Sequence, residues 1–174
     1  QIGDRGTLTW EGGSATVRDT QKPVGGIHVH YATVNEGTLR TGAKITATVA
    51  EGVRWDTMRN HTATHLLHKA LRDVLGTHVQ QAGSLVEPER LRFDFSQNAP
   101  ISREDLSRIE QIVNEQIRLD YPVQPQVMAY QAALAEGAMA LFGEKYGHEV
   151  RMVRIPGFES KELCGGTHVQ STGQ

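Results

Sequence analysis

The stretch DTMRNHTATHLLHKALRDVLG (residues 56–76) decides how this chain folds. Leu66, Ala70, Leu71, Val74 and Leu75 recur at helical spacing and form one apolar stripe. Asp56 stands where an N-cap belongs and Gly76 lies just past the last apolar residue. The pattern predicts a helix of about 20 residues, roughly 30 Å long. On that helix His61, His65 and His68 fall at i, i+4 and i+7, on a face that would ordinarily carry Leu or Ile.

Two textures flank this helix. Before it, residues 1–53 are rich in Gly and Thr. GTLTW (6–10), SATVRD (14–19), IHVHYATV (27–34) and AKITATVA (43–50) read as short strands, separated by the turn signals EGG, VGG and EGTLRTG. Regularly spaced short strands predict a small amino-terminal β-barrel. After the helix, SLVEPERLRFDFS (84–96) alternates as a strand around the turn EPER. SREDLSRIEQIVNEQIRLD opens on Ser102 and Asp105 and continues as a second long helix through Leu106, Ile109, Val113 and Ile117. YPVQPQVMAY is held extended by its prolines. QAALAEGAMALF reads as a short helix, HEVRMVRI as a strand and PGFESKELCGGTHVQSTG as a loop-rich close. Residues 54–174 are therefore expected to form an α+β core with two long helices packed on a sheet.

Composition narrows the function. The chain has 174 residues, 38% of them hydrophobic and 6% aromatic, enough for a lean core. No run approaches the roughly 18 apolar residues of a membrane span, so no membrane partner is expected. A Gln in place of Met at position 1 points to a piece of a longer polypeptide or a processed product. One cysteine excludes an internal disulfide and fits a reducing, cytoplasmic compartment. A net charge of −2 gives no bulk electrostatic footprint of a nucleic-acid binder, although a local basic face can still serve one.

Histidines at i and i+4 can share one cation. Alone this is weak, because eight histidines in 174 residues supply such a pair by chance in roughly one sequence of three. The metalloprotease version places Glu after the first His as general base, and here that position is Thr62. The second signal is CGGTH, with Cys164 and His168 four residues apart. Its chance odds are roughly one in twenty, so the two motifs together point to a site. His61, His65, Cys164 and His168 would together satisfy a tetrahedral zinc. His68 is expected as a packed neighbour of that site. His28 and His30 share one strand face, His78 follows the helix C-terminus, and His148 lies in a turn; none of these indicates a ligand.

The strings RNHTATHLLHKALRDVLGTHVQQAGSLVEPERLRFDF, GAMALFGEKYG, VRMV and ELCGGTHVQSTG, in this order, closely resemble the editing domain of bacterial alanyl-tRNA synthetase. The opening QIGDRGTL is similar to the end of that family's glycine-rich stretch. The metal motifs alone are shared with free-standing alanyl-editing proteins and with the threonyl-tRNA synthetase editing domain, whereas LFGEKYG and ELCGGTHV favour the alanyl enzyme. The resemblance implies hydrolytic deacylation of tRNA(Ala) carrying serine, with glycine as a second candidate. It implies zinc on His61, His65, Cys164 and His168, and a barrel truncated at its start over residues 1–53 beside an editing core over 54–174. The family's discriminating position maps onto Gln81 in VQQAGS, with Gln80 one register away.

The task is physically coherent, because a synthetic pocket rejects an added hydroxyl only by about a hundredfold, whereas a second site can recognise it. Zinc can activate a water or can hold the substrate's amino group or carbonyl, leaving a water to polar neighbours such as Thr64 or Gln81. Arg90, Arg92, Lys145, Arg151, Arg154 and Lys161 are candidate tRNA contacts, with the remaining domains of the parent synthetase expected to supply most of the affinity. Two other readings stay open: a zinc-stapled module that positions tRNA without turnover, and, weakened by the missing Glu, peptide hydrolysis.

Overall fold

A computed structural model describes residues 1–24, 26–140 and 146–174. The chain opens with β1 (Gly6–Trp10), β2 (Gly13–Val24), β3 (Ile27–Glu36) and β4 (Thr46–Val49), then α1 (Glu51–Leu75). The hairpin β5 (Gln81–Val86) and β6 (Leu91–Phe95) leads into α2 (Arg103–Leu119) and β7 (Gln124–Ala129). A short α3 (Tyr130–Ala135), β8 (Glu149–Ile155), a 3-10 turn (Pro156–Phe158) and β9 (Ser160–Leu163) complete it.

The α+β class and both long helices are as expected; the barrel is not. Among the described residues the first four strands form one open antiparallel sheet, in order β3-β2-β1-β4, with β3 and β4 at its edges. Only Leu8, Ala15 and Val17 are buried together there, with Trp10 packed beside them. So small an apolar face gives a sheet little interior to close around, and the four-residue β4 is too short to run along the ten-residue β3.

Helix α1 also differs from expectation. It begins five residues before Asp56 and runs 25 residues, with Ala50 as an N-cap that makes no side-chain hydrogen bond. Asp56 instead pairs with Arg59 at 3.2 Å on the helix surface. The early start carries α1 across the expected division at residue 53. Gly76 ends the helix as predicted, at φ 118°, where a side chain would be strained. Ser102 caps α2, accepting from the Asp105 amide at 3.0 Å.

α1 is buried on more than its apolar stripe, because Thr57, Thr62, Thr64, His65 and His68 are buried with Leu66, Ala70 and Leu71. Thr57 and Thr64 satisfy their hydroxyls on the carbonyls of Val53 and Asn60, at 2.7 and 2.8 Å. Leu66 packs with Val113 and Ile117 of α2 and with Val153 and Ile155 of β8. The β7-β8-β9 sheet thus lies against α1 on one face, while Val150, Met152 and Leu163 turn to Ala133 and Ala138 on the other.

β9 was expected as loop. It pairs antiparallel with β8, setting Glu162 opposite Val153 and Lys161 opposite Arg154. Opposed residues share a face. This register therefore sends Glu162 towards α1 and Lys161 away from it.

Candidate metal centre

The structure brings together His61 and His65 of α1 with Cys164 and His168 of the final loop. One donor atom from each lies within 4.8 Å of all the others, the dimension of a site for a single metal ion. Cys164 Sγ is 3.4 Å from His61 Nε2 and 3.3 Å from His168 Nε2. His65 is buried, and the other three residues are half-buried.

Each imidazole is held from its far side, as metal-binding histidines usually are. His61 Nδ1 lies 2.7 Å from Gln1 Oε1, an oxygen that also accepts from the Thr167 amide. His168 Nδ1 lies 3.2 Å from the Thr62 hydroxyl, which in turn accepts from the Val169 amide. Thr62, sitting where a protease would carry its Glu, therefore orients a donor. His65 Nδ1 lies 3.2 Å from Glu162 Oε2, an ion-pair contact outside hydrogen-bond alignment. The other Glu162 oxygen meets His68 Nδ1 at 3.0 Å. One buried carboxylate thus serves two imidazoles a helical turn apart.

Electrostatics prepares the donors. Burial opposes ionisation of Cys164, but hydrogen bonds with His168, His61 and His65 outweigh it and hold the thiol down at about 3. Burial pushes His168 down to about 4, which keeps its ring neutral. Burial would also lower His65, yet the charges of Glu162 and Cys164 reverse that and raise it to about 10. Burial works against the Glu162 carboxylate, and His65 and His68 nonetheless hold it well below the ordinary range. A thiolate and neutral imidazoles are what zinc takes, so the donor set fits that ion once His65 gives up its proton.

The loop carrying Cys164 and His168 is fastened by Arg151, whose Nη1 donates to the carbonyls of Cys164 and Gly166 at 2.9 and 2.8 Å. A Cβ on Gly166 would collide with the His61 ring, whereas one on Gly165 would meet nothing. Of the two glycines, only Gly166 is required by close approach.

Beside the cluster lies a cavity of about 280 Å³ lined by His68, Arg72, Thr77, Val79, Gln80, Gln81, Met139, Ala140 and Glu162. Both Gln80 and Gln81 reach it. Thr64 does not line it, and the Thr64 hydroxyl is spent within α1. Arg90 and Arg92 stand exposed on the β5–β6 hairpin, at 3.0 and 3.1 Å from Glu87 and Asp94. Arg154 and Lys161 gather on Glu136, with contacts of 3.4 and 3.2 Å. Lys145 lies outside the described residues.

Glu162 was missed by sequence reasoning, since a segment read as loop has no assignable faces. Its signal was the short alternation Ser160, Glu162 ahead of Cys164.

Comparison with known proteins places these features in context. The family described as "Threonyl and Alanyl tRNA synthetase second additional domain" matches residues 150–174, which hold β8, β9 and the Cys164–His168 loop. Over 100% of its length the chain is 56% identical to "Alanine--tRNA ligase" of Thermus thermophilus. Proteins of the same name from Pseudothermotoga lettingae and Rhizobium meliloti are 54% and 53% identical over 99% of the chain. The chain spans about a fifth of the length of these curated relatives, 20% in each case. No helix among the described residues is long and apolar enough to cross a membrane.

Proposed function

We propose, for a chain that belongs to the alanyl-tRNA synthetase family in its editing region, that it deacylates mischarged tRNA(Ala), removing serine and also glycine, in a zinc-containing site. The observation that carries this reading is the junction at Glu162: one carboxylate touches a donor of the four-residue cluster and forms part of the wall of the neighbouring cavity.

His61, His65, Cys164 and His168 hold the ion in this reading, with Gln1, Glu162 and Thr62 orienting the three rings. Zinc, when bound, supplies a Lewis acid for ester hydrolysis. The chain's own residues do the rest. The cavity receives the aminoacyl end, and Gln81 offers it both an amide donor and an acceptor. Thr64 donates its hydroxyl hydrogen to the Asn60 carbonyl and lies outside the cavity lining, which leaves Gln81 as the polar neighbour for a water. Selection follows the double-sieve rule, in which a second pocket binds the hydroxyl that the synthetic pocket rejects weakly.

Arg90 and Arg92 on the exposed hairpin are the phosphate contacts, supported by Arg154, Lys161 and Lys145, while Arg151 serves the metal loop. At a net charge of −2 the chain draws most of its tRNA affinity from the other domains of its synthetase, in the cytoplasm, and residues 1–53 form a subdomain whose Gln1 reaches into the metal site of the editing core.

A second reading, a zinc staple without turnover, is favoured by one feature: the cluster ties His61 to Cys164, 103 positions further along the chain, so the ion would clamp the final loop onto α1. The rate of seryl-tRNA(Ala) deacylation against alanyl-tRNA(Ala) separates the two. Fast loss of serine with alanine spared supports the deacylase; folded, zinc-loaded protein that spares both supports the staple.

A further inference from the structure

His68 is the buried imidazole that the metal cluster does not use. It is 4% exposed and packs against Phe93, with ring centroids 5.1 Å apart. Its Nδ1 lies 3.0 Å from Glu162 Oε1. An ionised carboxylate only accepts, so the Nδ1 proton belongs to that contact, and Nε2 is the nitrogen on which a neutral ring with this tautomer carries its lone pair. That Nε2 is buried and has no hydrogen-bond partner among the described residues. An unpaired buried acceptor is destabilising, a cost that a Phe or Leu at this position would not incur.

The cavity shows what could offset the cost. His68 is part of the wall that also holds Gln81. The other charged groups of that wall are already engaged. Arg72 donates to the carbonyls of Thr77 and Val79 at 2.8 and 2.6 Å. Glu162 spends one oxygen on each histidine. Among the described residues, His68 Nε2 is the fully buried side-chain nitrogen of that wall that has no hydrogen-bond partner.

We propose that His68 Nε2 accepts the hydrogen bond of the substrate's side-chain hydroxyl, giving the site a contact that favours a hydroxylated aminoacyl group over glycine and alanine. This rests on the deacylase reading above. Its chemistry separates the relevant side chains: serine brings a donor, whereas the methyl of alanine and the hydrogen of glycine bring none. The α-ammonium is the competing donor, but all three amino acids carry it, so it would not discriminate.

The test uses the zinc-loaded chain with nitrogen-15 in its histidines, and non-hydrolysable adenosine 3′-amides of serine, glycine and alanine as probes. The His68 Nε2 resonance should start in the unprotonated range and move on adding the seryl amide alone. In His68→Phe, affinity for the seryl amide should fall about tenfold or more relative to the glycyl amide, with zinc content retained. Equal losses for both amides, a resonance that moves with all three or with none, or an imidazolium at neutral pH overturns the proposal. Because His68→Phe packs poorly if it misfolds, the resonance of the unaltered protein decides independently of it. Wild-type protein that turns over no seryl-tRNA but still shifts Nε2 with the seryl amide removes the deacylase reading and leaves the hydroxyl acceptor standing.

Discussion

Replacing Glu162 with Gln is the most informative single change near the metal centre. The side chain keeps its size, but an amide presents one acceptor oxygen and one NH₂ where the carboxylate presented two acceptors. Glu162 faces His65 Nδ1 at 3.2 Å and His68 Nδ1 at 3.0 Å, so the variant can satisfy only one of the two rings. The other Nδ1–H then meets a second donor in a site that is 6% exposed. Loss of such an outer partner typically weakens metal binding 10–100-fold, or about 1.4–2.7 kcal/mol. Glu162→Gln should fall near the lower figure, and Glu162→Ala, which strands both rings, near the upper. Zinc affinity would be measured by competition with a chelator, and the coordination geometry by the visible spectrum of the cobalt-substituted protein. Glu159→Gln, an exposed carboxylate on the same hairpin, serves as control. Unchanged affinity in both Glu162 variants, with native circular dichroism, would refute the idea that this carboxylate orients a metal-binding imidazole.

Gly166→Ala should weaken zinc binding about tenfold or more by driving the loop off the His61 ring, while Gly165→Ala, facing open space, should leave it within about twofold; the same chelator titration reads both. Zinc uptake should release about one proton near neutral pH, from His65, because Cys164 at about 3 is already a thiolate and His65 is raised to about 10. A ligand must lose its proton to bind, so the logarithm of affinity should rise by about one per pH unit below the His65 value. Calorimetry in buffers of different ionisation heat tests this, and release of two protons would show the thiol still protonated. Ser102→Ala should cost about 1 kcal/mol in urea unfolding of the zinc-loaded protein, through loss of the α2 cap. Finally, deacylation of seryl-tRNA should weaken steeply with added salt, and Arg92→Gln should flatten that slope if Arg92 contacts a phosphate.

What could be read without coordinates was local. The period of Leu66, Ala70 and Leu71 fixes α1, Gly76 its end and Ser102 the start of α2, because helical spacing and capping depend on residues a few positions apart. The same locality made two His and a Cys/His pair legible as donors before any contact between them was known. Asp56 misled for the complementary reason: a good capping residue competes with tertiary packing, and packing carried α1 back to Glu51. The barrel failed because strand spacing says nothing about whether enough apolar volume exists to close a sheet. Glu162 lies 94 positions from His68, and the contact depends on the β8–β9 register that opposes it to Val153. A slip of one residue would have turned it to the other face. Sequence by itself determined which side chains can bind a metal; only the tertiary structure decided which buried carboxylate holds two of the histidines, because that choice is a long-range pairing with no local signal.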